Sequence, residues 1–247
     1  MSIMESGPVS DALVIMWRNL KRIPRIPELA IFAILQSIMF VLLFAFVFGG
    51  AIEVPGGGDY TDYLMGGIFV QTVAFTCATT CIALADDLSR GLFDRFRSLP
   101  MARSAVLAGR TFADLGFAGV TTAAMALTGL LVGWRTDAPV LSVLGAFALL
   151  ALFAYSFLWI GAVIGLSVRS VEVAQTAGLI WLFPLTFLSN AFVPLETMPS
   201  WLQPVAAWNP ISAASVVLAP WLPSTALSQQ PRWVSSTPFG RAVVPEV

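Results

Sequence analysis

The chain has 247 residues, of which 57% are hydrophobic and only 11% charged, with a formal net charge of −1. Soluble domains carry about 25% charged residues because their surface must meet water. This composition therefore excludes an ordinary soluble enzyme, and no global basic field points to nucleic acid.

From the N-terminus, Asp11 to Arg22 places Leu13, Val14, Trp17 and Leu20 on one helical face and Arg18, Lys21 and Arg22 elsewhere. That pattern predicts an amphipathic helix on the membrane surface, within an N-terminal segment of residues 1–28. Pro24 and Pro27 set it apart from the first span, Leu29 to Gly49, which reaches the roughly 20 apolar residues needed to cross a bilayer. The run is too long for a cleavable signal peptide and no small-x-small site follows it, so it is expected to stay as an anchor. A second span is predicted from Tyr63 to Ala85, rich in Thr, Gly and Cys. A third runs from Leu107 to Trp134, a fourth from Val140 to Val168, and a fifth from Val173 to Phe192.

Beyond the fifth span the pattern fails. Ile211 to Leu222 is apolar but short and broken by Pro220 and Pro223, while Ser224 to Val247 is polar and has no helical period. The reading is an all-α polytopic membrane protein with five transmembrane helices and a sixth left open. Its transmembrane domain covers residues 29–217, and an atypical polar tail covers 218–247.

Arg18, Lys21, Arg22 and Arg25 precede span 1. Arg90, Arg95, Arg97 and Arg103 lie between spans 2 and 3, and Arg169 between spans 4 and 5. The opposite side has Arg135 alone among basic residues, with Glu53, Asp59, Asp62, Asp137 and Glu196. The positive-inside rule then makes the N-terminus cytoplasmic.

Histidine is absent, and Cys77 and Cys81 are the two cysteines. Standing four apart on one helical face, they lack the partners that a metal site needs, so close helix packing is the expectation and no metal site is assigned. A membrane-embedded enzyme would want paired carboxylates or a Ser/Lys arrangement at one depth, and neither is present. No G-x-x-x-x-G-K-[ST] phosphate cradle occurs, Lys21 being the one lysine. No catalytic residue is assigned.

Ala85 to Arg110 is more than a charged loop. Leu88, Leu92, Phe93 and Phe96 recur at helical spacing with Arg90, Asp94, Arg95 and Arg97 between them, and Pro100 ends the segment. This predicts a short amphipathic helix able to dock into a groove on a soluble partner. Gly91, Leu92, Asp94, Arg95, Arg97, Ser98, Leu99, Pro100, Met101 and Arg103, with Gly109 and Arg110 after them, resemble the loop after span 2 of the ABC-2 type transporter permeases, most closely the daunorubicin/doxorubicin-resistance branch. The stretch Asn190 to Ser212, with Met198, Pro199, Trp201 and Leu202 and the later Asn209 and Pro210, is similar to the outer re-entrant segment of that family. The resemblance covers about residues 10 to 215.

What the resemblance implies is a half-transporter in the cell membrane, working as a homodimer or with a related second permease. Cytoplasmic ABC ATPase subunits would hold the ATP and Mg, and this chain would bind no cofactor. Arg90, Gly91, Leu92, Phe93, Asp94, Arg95, Phe96, Arg97 and Pro100 would form the coupling helix. The cargo implied is a hydrophobic or amphipathic compound of the drug or antibiotic kind. A lipid or polysaccharide-precursor exporter would use the same fold, and a truncated, non-transporting membrane partner is the other alternative.

Polar residues inside spans are functional candidates by default. Arg110 and Asp114 stand four apart and are read as a structural ion pair near the coupling region. Span 2 offers Phe69, Thr72, Phe75 and Thr76 as candidate path residues; the resemblance implies that spans 2 and 5 line a dimer seam, which would add Phe183, Thr186, Phe187 and Asn190 from span 5. The family pattern normally ends with a sixth span and a short basic tail, so the turn to polar sequence after about Val217 is expected to reflect a frameshift or truncation.

Overall fold

A computed structural model describes residues 8–21, 27–48, 60–93, 103–134, 138–191 and 198–218. The elements are α1 (Pro8–Leu20), α2 (Pro27–Leu43), which widens into a π-helical turn at Phe44–Phe48, α3 (Tyr60–Ser89), α4 (Arg103–Val132), α5 (Val140–Ser167), α6 (Val171–Leu179), α7 (Leu182–Phe187), α8 (Gln203–Ala207) and α9 (Pro210–Leu218). There is no strand among the described residues. Among the described residues, three helices are long and apolar enough to cross a membrane: Met65–Ser89, Ser104–Val132 and Val140–Ser167. Shorter apolar helices cover Ile31–Val47 and Val171–Phe187, where the first and fifth spans are predicted. The protein is an all-α polytopic membrane protein.

The burial of these helices separates their roles. Two thirds of the apolar stretch of α3 is buried, 67%, against 33% for α4 and for α5. Leu127, Leu131, Leu141, Leu144, Leu152 and Val163 lie exposed on α4 and α5. Such apolar surfaces are tolerable only against lipid or another membrane chain.

The predicted fifth span is not one continuous helix. Its ladder stops at Leu179, turns through Ile180 and Trp181, and resumes as α7. Pro184 is the physical reason, because it cannot donate to the carbonyl of Ile180 and its ring crowds that carbonyl. Of the predicted coupling helix, Arg90 to Pro100, the part from Asp94 onward lies outside the described residues, as does the polar tail beyond Leu218.

The chain forms two compact units, the first Met1–Ala33, Phe75–Thr121 and Ala154–Trp181, the second Ile34–Ala74, Thr122–Phe153 and Leu182–Val247. In the first, helices meet backbone to backbone. A Cβ on Gly161 would strike the carbonyl of Cys77, and one on Gly165 the carbonyl of Cys81. Two G-x-x-x-G positions on α5 thus fit against the two cysteines of α3. Because 161 matches 77 and 165 matches 81, α3 and α5 run parallel here. Gly178 of α6 lies against Ala78 and the Cys81 thiol donates to the Ala174 carbonyl at 3.4 Å, so α6 runs antiparallel to α3. That alternation is what successive membrane crossings require.

The second unit is filled differently. Phe69 is fully buried, with its ring edge-on to Trp134 at 5.7 Å and to Phe147 at 5.8 Å. Met65 fills the space over Gly129, and Gly67 admits the backbone of Ala191. Aromatic pairs of this geometry add about 1 kcal/mol each beyond their area.

Candidate functional site

The first unit carries a charged cluster where α3 and α4 meet. Arg110 on α4 reaches both carboxylate oxygens of Asp114 at 3.1 Å through Nε, and Asp87 on α3 at 3.3 Å through Nη1. The Thr80 hydroxyl donates to Asp114 Oδ2 at 2.8 Å. Side-chain exposures of 15%, 14% and 19% for Arg110, Asp87 and Asp114 make this a largely enclosed network. Arg110–Asp114 follows from i, i+4 spacing. Asp87 and Thr80 turn it into a bridge between helices, and no sequence spacing joins either of them to Arg110 or Asp114.

The bridge sits at the stem of the predicted coupling segment. Past Asp87, α3 ends where Arg90 donates to the Asp86 backbone carbonyl at 3.1 Å and Gly91 takes a left-handed φ of 65°. Only glycine adopts that turn without steric cost, and it is the usual way to stop a helix. Arg90 also pairs with the Asp86 carboxylate at 2.9 Å while 64% exposed. That hydrogen bond and the Asp86 charge push the Arg90 pKa up, so it remains cationic at every working pH. Leu92 and Phe93 are half-buried. Asp94, Arg95, Phe96, Arg97 and Pro100 lie outside the described residues.

Of the candidate path residues, four lie on α3 and three on α7, with Asn190 just beyond α7. Phe69 is core, and Thr72, Phe75 and Thr76 are half-buried on α3. On α7, Phe183 and Phe187 stack at 6.2 Å and are 49% and 65% exposed, whereas Thr186 and Asn190 are buried. The aromatic and polar candidates of this segment therefore occupy opposite faces. Cys77 and Cys81 are free and buried.

A further residue emerges in the second unit. Asn209 accepts from the Ile211 amide at 2.9 Å through Oδ1, capping α9, with Pro210 at the first helical position. Its Nδ2 donates to the carbonyls of Leu185, at 2.5 Å, and Leu188, at 3.2 Å. Leu185 lies in the last turn of α7 and Leu188 just beyond it, where a helix leaves carbonyls for partners outside its own ladder. The Asn190 amide meanwhile donates to Ser212 Oγ at 3.0 Å. The Asn-Pro dipeptide was the available signal, since Asn before Pro at an apolar run marks a helix start. Trp201 and Trp208 are 73% and 66% exposed.

Long apolar helices, with an enclosed ion bridge at the stem of a basic loop, define a multi-pass membrane protein. Residues 11–218 match the family described as ABC-2 type transporter, and the chain belongs to that family. It is 36% identical, over 84% of its own length and 73% of the relative's, to the daunorubicin resistance ABC transporter permease protein DrrB1 of Streptomyces coeruleorubidus. It is 27% identical to the probable doxorubicin resistance ABC transporter permease protein DrrC of Mycobacterium tuberculosis, over 74% of its own length and 66% of that protein's.

Proposed function

We propose that this chain is the membrane-spanning permease subunit of an ATP-driven exporter that moves a hydrophobic or amphipathic, drug-like compound out of the cell. The observation that carries the reading is its 36% identity to a daunorubicin resistance permease across 207 residues. The partner is an ABC ATPase subunit, which binds and hydrolyses the ATP with its Mg. The permease pairs with a second copy or a related chain in the cell membrane, N-terminus in the cytoplasm.

In this reading the ATPase docks on the segment from Arg90 to Pro100, presenting Arg95 and Arg97. Gly91 lets the segment leave α3 sharply, and the Asp87–Arg110 bridge ties the two helices that flank it. A displacement of the segment then moves α3 and α4 together instead of splaying their ends.

The test is affinity purification of the full chain from a host supplying its neighbouring ATPase. The ATPase is expected to co-purify, and R95A/R97A is expected to release it while leaving the permease in the membrane. Retention by the double variant, or no ATPase at all, sinks the docking assignment. Intracellular daunorubicin in cells with and without the pair then tests the cargo class.

A further inference from the structure

One face of α1 is unaccounted for by the bundle. Its inner side is fixed: Ala12 and Ile15 lie against Gly109 of α4, and Leu20 approaches Gly116. Ile15 is 3% exposed. The opposite side shows Leu13 at 54%, Val14 at 62% and Trp17 at 59% exposure, followed one turn later by the exposed Arg18 and Lys21. The Lys21 ammonium lies 5.1 Å from the centre of the Trp17 ring.

Depth decides what can cover that face. The 30-residue α4 is about 45 Å long at 1.5 Å per residue and exceeds a hydrocarbon core of about 30 Å by roughly 7 Å at each end. Gly109 is six residues into α4, about 9 Å from its start, so the helix packed on it lies where headgroups give way to acyl chains. Lys21 is likewise six residues before α2 begins. Apolar tips with a tryptophan and flanking cations are the side-chain set suited to that level. Of the charges on and just after α1, Asp11 is buried at 5%, and the exposed ones, Arg18 and Lys21, are both cationic.

We propose that the exposed face of α1 is a docking surface for anionic phospholipid, seating Leu13, Val14 and Trp17 among the upper acyl carbons and setting Arg18 and Lys21 against headgroup phosphates. The proposal rests on the membrane-spanning fold, not on the assignment of an ATPase or a drug, and its test needs neither.

The full chain is placed in bilayer discs of phosphatidylcholine alone or with a quarter phosphatidylglycerol. The Trp17 signal is the fluorescence difference between wild type and W17F. It is expected to be quenched by lipids brominated high on the acyl chain and spared by aqueous acrylamide. Phosphatidylglycerol retained on the protein in native mass spectrometry should bind roughly five-fold more weakly for each charge removed in R18Q and R18Q/K21Q. Quenching by acrylamide would place the face in water, and shielding from both quenchers would show a second protein chain covering it; either overturns the proposal. Equal phosphatidylglycerol retention by wild type and R18Q/K21Q overturns the anionic preference. G109A, which disturbs the inner side only, controls for loss of fold: a variant that melts early yet keeps its lipid preference supports the assignment.

Discussion

The two compact units of this chain are held together by different means. The first relies on absence of side chain, with Gly161, Gly165 and Gly178 letting helix backbones touch, and on one enclosed arginine between two carboxylates. The second relies on presence: the rings of Phe69, Trp134 and Phe147 fill the space, and Asn209 ties two helix ends. In lipid there is little hydrophobic drive between helices, so close packing and polar bonds must supply the association. The first unit should thus be intolerant of added volume and of lost charge, and the second of lost volume and lost amide.

The largest effect should come from R110A, which leaves Asp87 and Asp114 enclosed without their cation. Breaking such a pair costs about 3–5 kcal/mol, and the expected outcome is loss of monodisperse protein on size-exclusion chromatography in detergent. R110K restores the charge without the two-carboxylate reach and should recover only part of the yield. G165L comes next. Its side chain meets the Cys81 backbone, which cannot yield as a flexible side chain would, and about 3 kcal/mol of strain is expected. In the second unit, N209A removes a cap and two bonds to carbonyls, about 2 kcal/mol together, and should lower the melting temperature without affecting ATPase co-purification. N209D keeps the cap but not the donors and should lie between.

Smaller effects sharpen the contrast from the other side. C77A and C81A keep the backbone carbonyls that Gly161 and Gly165 meet and lose a sulfur each, in C81A with its bond to Ala174; each should cost under about 1.5 kcal/mol and leave transport intact, and complete loss of transport would revive a chemical role for the thiols. At the start of α6, Ser170 accepts from the Val173 amide at 3.3 Å, and S170A should cost about 1 kcal/mol. The neighbouring Glu172 accepts from its own backbone amide and from Ser170, which lowers its pKa below the ordinary carboxylate range. A lowered folded pKa means the contribution is present above the unfolded value and is lost as pH falls through the folded one. Wild type and E172Q should therefore differ slightly in melting temperature at neutral pH and converge in acid.

Much of the fold was legible in the sequence because long apolar runs leave a helix little alternative in lipid. The spans predicted from Tyr63, Leu107 and Val140 appear as α3, α4 and α5 with ends shifted by a few residues. Those helices run past the apolar boundary because charged ends such as Asp86 and Asp87 can continue a helix into water. The break at Ile180 was readable in Pro184 but was hidden by the unbroken hydrophobicity around it. The candidate site was less legible. Arg110 and Asp114 declare themselves by spacing on one helix, while Asp87 and Thr80 join only when α3 and α4 come together. The same holds for the glycines: Gly161-x-x-x-Gly165 is visible as a motif, but nothing in it says that its partner is the Cys77-x-x-x-Cys81 face. Asn209 was visible only as part of a family pattern, and its two donor bonds reach residues more than twenty positions away.

Asn209 also sets an order of assembly. The carbonyls of Leu185 and Leu188 and the amide of Ile211 share one side chain, so α7 and α9 cannot each complete their ends alone. During synthesis the earlier segment must wait, incompletely bonded, until the later one has emerged, and the two then lock in one step. Any chain released before that asparagine leaves behind an unfinished terminus for the quality-control proteases to find.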